Sequence, residues 1–485
     1  MFQDLREFMK KVEERGEVKV VEGANSEEEI GLLTEVAAIT PGAPMLVFDS
    51  IKGYPNGYRV ATNVFTSRSR CALSMGAEPG LDARGLVEYW CRRLDEPSRP
   101  LPPVNVEHAP VKENVLLGDK VDLLKFPTPQ WHSHDGGRYI GTGCTVIMRD
   151  PDDGWVNLGT YRVQVHDKAV ATIYIAPGKH GDIIRRKYWS RGQSCPVVVT
   201  CGQDPTLTLV ASSSEAPWGS SEYDEAGRLL GQPVQVTPGP VTGLPVPATA
   251  EIALEGEIVP PEVDSRSEGP FGEWTGYYAS GSRPEAVFRV KAVMHRRNPI
   301  ILGMPPTMNF EATSPGLSYR RSAQRWAGLN RKLPGVKGVW EVPEAMGCPM
   351  VVISLEQLYG GHAKRAALTC LAEEGLMARW VIVVDEDIDP FNITEVLWAL
   401  GTRCDPDSAV DIVRGWWGNH LDASLEPMRR KQQDLTHSVG IILACKPYHW
   451  KGEFPPSIKL SAEQVARTKA KWSWVFSNPA PSLKK

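Results

Sequence analysis

Three residues spread through the middle of the sequence, Asn157, His180 and Glu222, offer an amide oxygen, an imidazole nitrogen and a carboxylate. Such a mixed set suits a hard or borderline divalent ion, Mn2+ or Mg2+, and leaves octahedral positions for water or phosphate oxygens; zinc would ask for more Cys or His. A second set is the pair Glu268 and Glu273 in the stretch EGPFGEWTGY, five residues apart and bracketing Gly and Pro in an irregular turn. If both point into one cavity, burial raises the pKa of one for acid–base work while an arginine keeps the other ionised. Arg162 can be that arginine, and its planar guanidinium can also fork onto a substrate carboxylate. On spacing alone the plainer readings stay open. They are a strand-edge amide, a turn imidazole and a solvated carboxylate for the first set, and two surface glutamates on a loop for the second.

The elements that must position these groups are short. Between about 115 and 300 the runs TGCTVIMRD, Trp155 to Val165, AVATIYIAP, PVVVTCG, LTLVASSS and AVFRVKAVM read as strands, separated by Gly, Pro and Asp, and predict a barrel or sandwich. Asn157 and Arg162 then bracket one strand-like run, Asn157 to Arg162, and Gly181 to Tyr188 reads as a short helix. Residues 1 to about 110 read as a small α/β region. It opens on an amphipathic helix with Leu5, Phe8, Met9 and Val12 on one face, a start at Asp4 and Glu7, and a stop at Gly16. The prolines 97, 100, 102 and 103 mark its boundary. After residue 320, PMVVISLEQL, HAKRAALTCLAEEGL and ARWVIVVDEDID form a strand–helix–strand unit of crossover length. It has no Gly-x-Gly-x-x-Gly opening, so NAD has no support. A tail with one helix from Ser461 closes the chain.

With 485 residues the chain has room for two to four domains of roughly 150 residues each. Its 54 Lys+Arg nearly balance 58 Asp+Glu, and no basic block occurs, so neither nucleic acid nor a membrane surface is an expected partner. The nine cysteines form no Cys-x-x-Cys pair and fit reduced thiols in the cytoplasm. The first residues are too charged for a signal peptide's apolar core, and no long apolar span is present.

Taken together, the motifs resemble the UbiD family of prenylated-FMN-dependent (de)carboxylases, from FQDLREFMKKVEERGEV near the start to VVDEDIDPFN near 390. DGGRYIGTGCTVIMRDPDDGWVNLGTYRVQV, APGKHGDIIRRKY, SSEYDEAGRLLGQPV and EGPFGEWTGYY follow the family's order. The resemblance implies an α+β multidomain fold built on a flavin-reductase-like split β-barrel. Its parts would be an N-terminal α/β region (1–112), the flavin-binding barrel (113–305), a linker with a helix (306–340) and a C-terminal α/β oligomerisation domain (341–485). It implies that Asn157, His180 and Glu222 hold the divalent ion that clamps the cofactor phosphate. Ala211, Ser212, Ser214 and Glu222 would hold K+, and Thr142, Arg162, Lys179, Ser212, Ser213 and Lys364 would contact the cofactor. Relatives often carry another polar residue at the position of Lys179, and Lys364 also reads as an exposed helix lysine.

Arg162, Glu268 and Glu273 match the family's Glu-Arg-Glu set, with Arg162 positioning the substrate carboxylate, Glu268 orienting Arg162 and Glu273 delivering the proton that replaces CO2. The implied reaction is reversible, non-oxidative decarboxylation of an aromatic or heteroaromatic acid, a phenolic benzoate foremost, through a covalent adduct with prenylated FMN. A flavin prenyltransferase would supply the cofactor, and a homodimer or homohexamer is expected. Asn309, Trp326 and His437 are candidate pocket residues, with structural roles as the alternative. Rival readings are a non-catalytic flavin-binding subunit of a carboxylase assembly, a decarboxylase of an acrylic acid, and a metal-dependent hydrolase.

Overall fold

The computed structural model describes residues 4–96, 99–212, 218–308, 315–346, 349–374 and 378–476. The first helix, Leu5–Glu14, starts where the Asp4 side chain accepts from the Glu7 backbone N–H at 2.9 Å. It buries Leu5, Phe8 and Val12 completely, at about 1.5–3 kcal/mol for each side chain removed from water. Its neighbour is a four-stranded sheet ordered Val18–Glu22, Met45–Asp49, Arg59–Thr62, Ile300–Leu302. The last strand arrives from 240 positions downstream and pairs in parallel with Arg59–Thr62, which welds the N-terminal region to the middle of the chain.

The middle of the chain builds a ten-stranded antiparallel sheet. Its main path runs Arg138–Gly141, Val163–Asp167, Val170–Ile173, Arg283–His295, Ile252–Ile258, Cys195–Cys201, Cys144–Arg149, Val156–Gly159. The connections dictate its shape. Gly141 and Cys144 are joined by two residues yet sit in strands six places apart, and so do Gly159 and Val163, joined by three. Six strand spacings in a flat sheet measure about 29 Å, whereas three or four extended peptide steps reach about 10 to 14 Å. The sheet therefore curls into a half-barrel and brings both connections to one mouth, where the Cys144 thiol meets the Tyr161 carbonyl at 3.1 Å.

Two expectations need correction. The run from Asn157 to Arg162 is not one strand: it ends at Gly159, and Thr160, Tyr161 and Arg162 form the turn into the strand Val163–Asp167. A side chain at Gly159 would collide with the Tyr161 ring at 2.6 Å, so the chain folds back there. LTLVASSS is not a strand either: Pro205–Ala211 is a helix, capped by Asp204, which accepts from the Leu207 N–H at 3.0 Å, with Pro205 at its first position. That start signal outweighs the β preference of the Thr and Val residues that follow.

Helix Pro315–Asn330 crosses to the C-terminal unit and packs on helix Ala83–Asp95 and strand Val336–Glu341. The unit is a five-stranded mixed sheet ordered Val336–Glu341, Met350–Leu355, Trp380–Asp385, His437–Ala444, Val410–Trp416. Met350–Leu355 and Trp380–Asp385 run parallel through helix His362–Glu374, as the crossover pattern predicts. The architecture is thus mixed α/β in several units around a half-barrel. Eight of the nine cysteines fall among the described residues and none forms a disulfide. No helix among the described residues is long and apolar enough to cross a membrane.

Candidate active site

Arg162 hangs from the turn at the barrel mouth, and two carboxylates grip it. Its Nε and Nη2 donate side-on to Oε1 and Oε2 of Glu268 at 2.6 and 2.8 Å, and its Nη1 donates to Glu273. All three side chains are buried: Glu268 is fully inaccessible, and Arg162 and Glu273 are each about 7 % exposed. Glu268 ends the strand Ser265–Glu268, and the chain then turns through Gly269. Gly269 has φ +80°, and any Cβ there would lie 2.5 Å from the Gly281 carbonyl, so only glycine makes this turn. The loop returns Glu273 to the other side of Arg162.

The surroundings fix this triad from several strands. Tyr139 donates to Glu268 Oε1 at 3.3 Å, and Gln164 accepts from both the Tyr139 hydroxyl and the Gly269 N–H. Ser280 lies within 3.4 Å of Arg162 Nη2 and 3.5 Å of Glu273 Oε1. The guanidinium carbon stands 4.4 Å from the Tyr174 ring centre and 5.1 Å from that of Phe271, which packs on Tyr139. Burial by itself would lower the pKa of Arg162, but the hydrogen bonds to Glu268 and the charges of Glu273 and Glu268 raise it, so it stays a cation. Burial pushes the Glu273 carboxyl up, with Arg162 pulling part of the way back. A permanently charged fork therefore sits beside a carboxyl with raised proton affinity, the pairing that binds a carboxylate and donates a proton.

The second set assembles at the next strand edge. Asn157 lies in strand Val156–Gly159, His180 opens helix His180–Trp189 and Glu222 opens helix Glu222–Leu230. His180 Nδ1 is 3.2 Å from Asn157 Oδ1, and Glu222 Oε2 accepts from the Leu158 N–H at 2.7 Å, so the three donors come from three elements into one corner. Asn157 Nδ2 is buried without a hydrogen-bond partner among the described residues, and burial lifts the Glu222 carboxyl to about 7. Burial, helped by the Lys179 charge, lowers the His180 pKa and favours the neutral, ligating imidazole. An amide oxygen, a neutral imidazole and a carboxylate starved of counter-charge fit a hard divalent cation. Among the described residues no cluster of three or more His, Cys, Asp or Glu side chains forms a metal site of another type. The indoles of Trp155 and Trp218 stand edge-on at 5.2 Å from His180.

The other sequence candidates are distributed unevenly. Thr142 sits in the two-residue connection at the barrel mouth and accepts from the Met304 N–H at 3.0 Å. Lys179 precedes the His180 helix as its N-cap residue. Ala211 and Ser212 end the helix that packs beside Glu222–Leu230, and Ser212 Oγ donates to the Leu209 carbonyl at 2.9 Å. Ser213, Ser214 and Asn309 lie outside the described residues, as do Pro97 and Cys348. Lys364 is on the C-terminal helix His362–Glu374 and pairs with Asp411 at 2.9 Å, so its contacts are in that unit rather than on the barrel. Trp326 is half-buried on the bridging helix. His437 lines a cavity of roughly 280 Å³ in the C-terminal unit with Arg379, Asp422 and Arg429. That unit still reaches the triad's loop: Arg430 Nη1 donates to the Ala279 carbonyl at 2.6 Å. Tyr139, Gln164, Tyr174, Ser280 and Arg283 surround the triad without having been singled out in the sequence. Tyr139 and Gln164 do fall inside the motif that begins DGGRYIG.

Comparison with known proteins finds relatives over most of the chain. Three family models cover the chain: the N-terminal domain of 3-octaprenyl-4-hydroxybenzoate carboxy-lyase at residues 9–90, its Rift-related domain at 103–308 and its C-terminal domain at 318–442. A phenolic acid decarboxylase of Streptomyces sp. (strain D7) is 33% identical over 434 residues, covering 85% of this chain and 86% of the relative. The vanillic acid decarboxylase of Sedimentibacter hydroxybenzoicus in its closed form superposes with a TM-score of 0.84 at 31% identity, over 99% of this chain and 100% of that one. An evolved dimeric form of the UbiD-class enzyme HmfF from Pelotomaculum thermopropionicum, in complex with prFMN, superposes with a TM-score of 0.79 at 28% identity, over 95% of this chain and 97% of that one.

Proposed function

The chain belongs to the UbiD family of carboxy-lyases, and from that premise we propose that it catalyses the reversible, non-oxidative decarboxylation of an aromatic carboxylic acid, a phenolic benzoate foremost, with prenylated FMN. The observation that carries this reading is the buried Arg162 held between Glu268 and Glu273. Prenylated FMN, when bound, supplies the electron sink that side chains lack when CO2 leaves an sp2 carbon. Arg162 keeps Nε and Nη2 on Glu268 and turns Nη1 from Glu273 to the substrate carboxylate. Released from that contact, Glu273 holds the proton that its raised pKa favours and delivers it to the ring carbon. Tyr139 and Gln164 keep Glu268 from following Arg162.

In this reading the half-barrel is the flavin-binding split β-barrel. Asn157, His180 and Glu222 would hold Mn2+ for the cofactor phosphate, and Ala211, Ser212, Ser214 and Glu222 would serve K+. Thr142 and Lys179 line the same mouth, a flavin prenyltransferase supplies the cofactor, and the C-terminal unit mediates assembly into a homo-oligomer. The test is co-production with a flavin prenyltransferase, a visible spectrum of the purified protein, and deuterium exchange into a panel of aromatic products. A flavin spectrum with exchange at one ring position is expected. A flavin spectrum without exchange on any product would make the protein a binding subunit, and a colourless hydrolase would overturn the reading altogether.

A further inference from the structure

Arg283 is the second arginine at the triad, and no sequence motif draws attention to it. It opens the strand Arg283–His295 directly opposite Glu268 in the antiparallel register. Its guanidinium lies 3.7 Å from the centre of the Tyr174 ring, the same ring that supports Arg162, and its Nη2 is 4.0 Å from Glu268 Oε2. Nε and Nη2, the side-on edge that Arg162 uses on Glu268, are buried on Arg283 and meet no well-formed hydrogen bond among the described residues, with the Tyr174 hydroxyl as a polar neighbour. A buried donor edge left open is costly, and the nearest carboxylate oxygen is one small rotation away.

We infer that Arg283 is a positioning residue of this centre, a second cation that shares Glu268 with Arg162 while Arg162 turns Nη1 to the substrate, and that balances the two carboxylates until the substrate's own carboxylate enters. The charge count gives the logic. Arg162 and Arg283 against Glu268 and Glu273 sum to zero; a substrate carboxylate makes the set −1, and one proton on Glu273 restores neutrality. Without Arg283 the empty site is already −1, and Glu273 takes its proton with no substrate present. The other groups nearby do not upset the count. Glu285 is paired with Arg185 at 2.8 Å, and burial keeps the Tyr174 hydroxyl neutral. His420, from the C-terminal segment, is held towards the neutral form by burial and by the charges of Arg283 and Arg430. The Arg283 charge also opposes protonation of Glu273.

The inference rests on the proposed reading only for the role of Glu273 as proton donor, and its test does not need turnover. In the full-length protein, the infrared band of a protonated carboxyl that Glu273→Gln removes reports the titration of Glu273. Arg283→Gln should raise its midpoint by roughly 0.5–1 pH unit, and Arg283→Lys should return it to the wild-type position. In the wild-type protein an added aromatic carboxylate should raise the midpoint in the same direction. In turnover, the alkaline limb of the exchange rate should move up with the midpoint in Arg283→Gln. An unmoved midpoint in Arg283→Gln, or one that Arg283→Lys fails to restore, overturns the inference. A protein that exchanges no acid refutes the decarboxylase reading instead, while the infrared titration still decides this one.

Discussion

Replacing Arg162 by methionine keeps most of the side chain's length and removes the charge and the N–H donors that Glu268 and Glu273 share. Two carboxylates, one inaccessible and one about 7 % exposed, would lose the cation that hydrogen-bonds both of them, with Arg283, 4.0 Å from Glu268, left as the remaining cation of the set. Removing one member of a buried ionic set costs about 3–5 kcal/mol. For a unit of 150–250 residues each kcal/mol lowers the melting temperature by about 2–4 °C, so Arg162→Met should lower the barrel's transition by about 6–20 °C at about pH 8. The sign of the pH dependence follows from linkage. Burial holds the folded-state pKa of Glu273 above its unfolded one, and losing Arg162 removes a charge that opposes this, so in the variant its contribution is full below the unfolded value and is withdrawn as pH rises through the folded value. The deficit should shrink towards about pH 5 and be largest by about pH 8. Differential scanning calorimetry of both proteins across that range measures it. The triple variant Arg162→Met, Glu268→Gln, Glu273→Gln, which removes both carboxylates with the arginine they share and leaves only the partly exposed Arg283 of the set charged, should recover most of the loss. A deficit of equal size at both ends of the range, or no recovery in the triple variant, would refute the argument that the glutamates and the arginine are mutually dependent.

Glu273→Gln should lower product exchange by at least about 100-fold while the visible flavin spectrum is retained, since the residue faces Arg162 and not the Asn157 corner. His180→Ala and Glu222→Ala should each lose Mn2+ and flavin together, read by metal analysis and absorbance of the same sample. Asp204, buried at a helix start where it accepts from the Leu207 N–H, has a carboxyl pushed by burial up to about 7. Its folded pKa exceeds the unfolded one, so it favours the fold below the unfolded value and withdraws that contribution as pH climbs through about 7. Asp204→Asn, which still caps the helix, should therefore raise the melting temperature at about pH 8, by up to about 4 kcal/mol of stability, with the gain fading towards acid pH.

Much of this arrangement is legible from local pattern, and the parts that are not share a cause. Leu5, Phe8 and Val12 mark a helix because their spacing and their cap lie within ten residues of one another. The crossover unit after 350 is legible for the same reason. The pairing of Glu268 with Glu273 is visible as a spacing, but the partner that gives it meaning, Arg162, is 106 positions away from Glu268. Arg283 reaches Glu268 only because the sheet register sets the two opposite each other, and nothing in its own neighbourhood signals that. The run at Leu207 reads as a strand because its Thr and Val residues suit one, whereas the decisive Asp204-Pro205 start lies just outside it. The break at Gly159 is set by contact with Tyr161 and by the need to cross from one end of the sheet to the other.

That crossing has a consequence for how such a protein can change. The connections 142–143 and 160–162 are already near the shortest that can join strands at opposite ends of the sheet, and the second of them carries Arg162. An extra residue there would either loosen the barrel's seam or swing the guanidinium away from Glu268. The stretch from Gly269 to Gly281, which carries the glutamate donor, and the segment from Trp417 to Thr436, which touches it through Arg430, have no such constraint on length. Insertions and deletions that adapt the molecule to new ring shapes should accumulate in those two segments. The mouth cannot be resized, so a library aimed at new acids belongs in the walls of the site rather than at its seam.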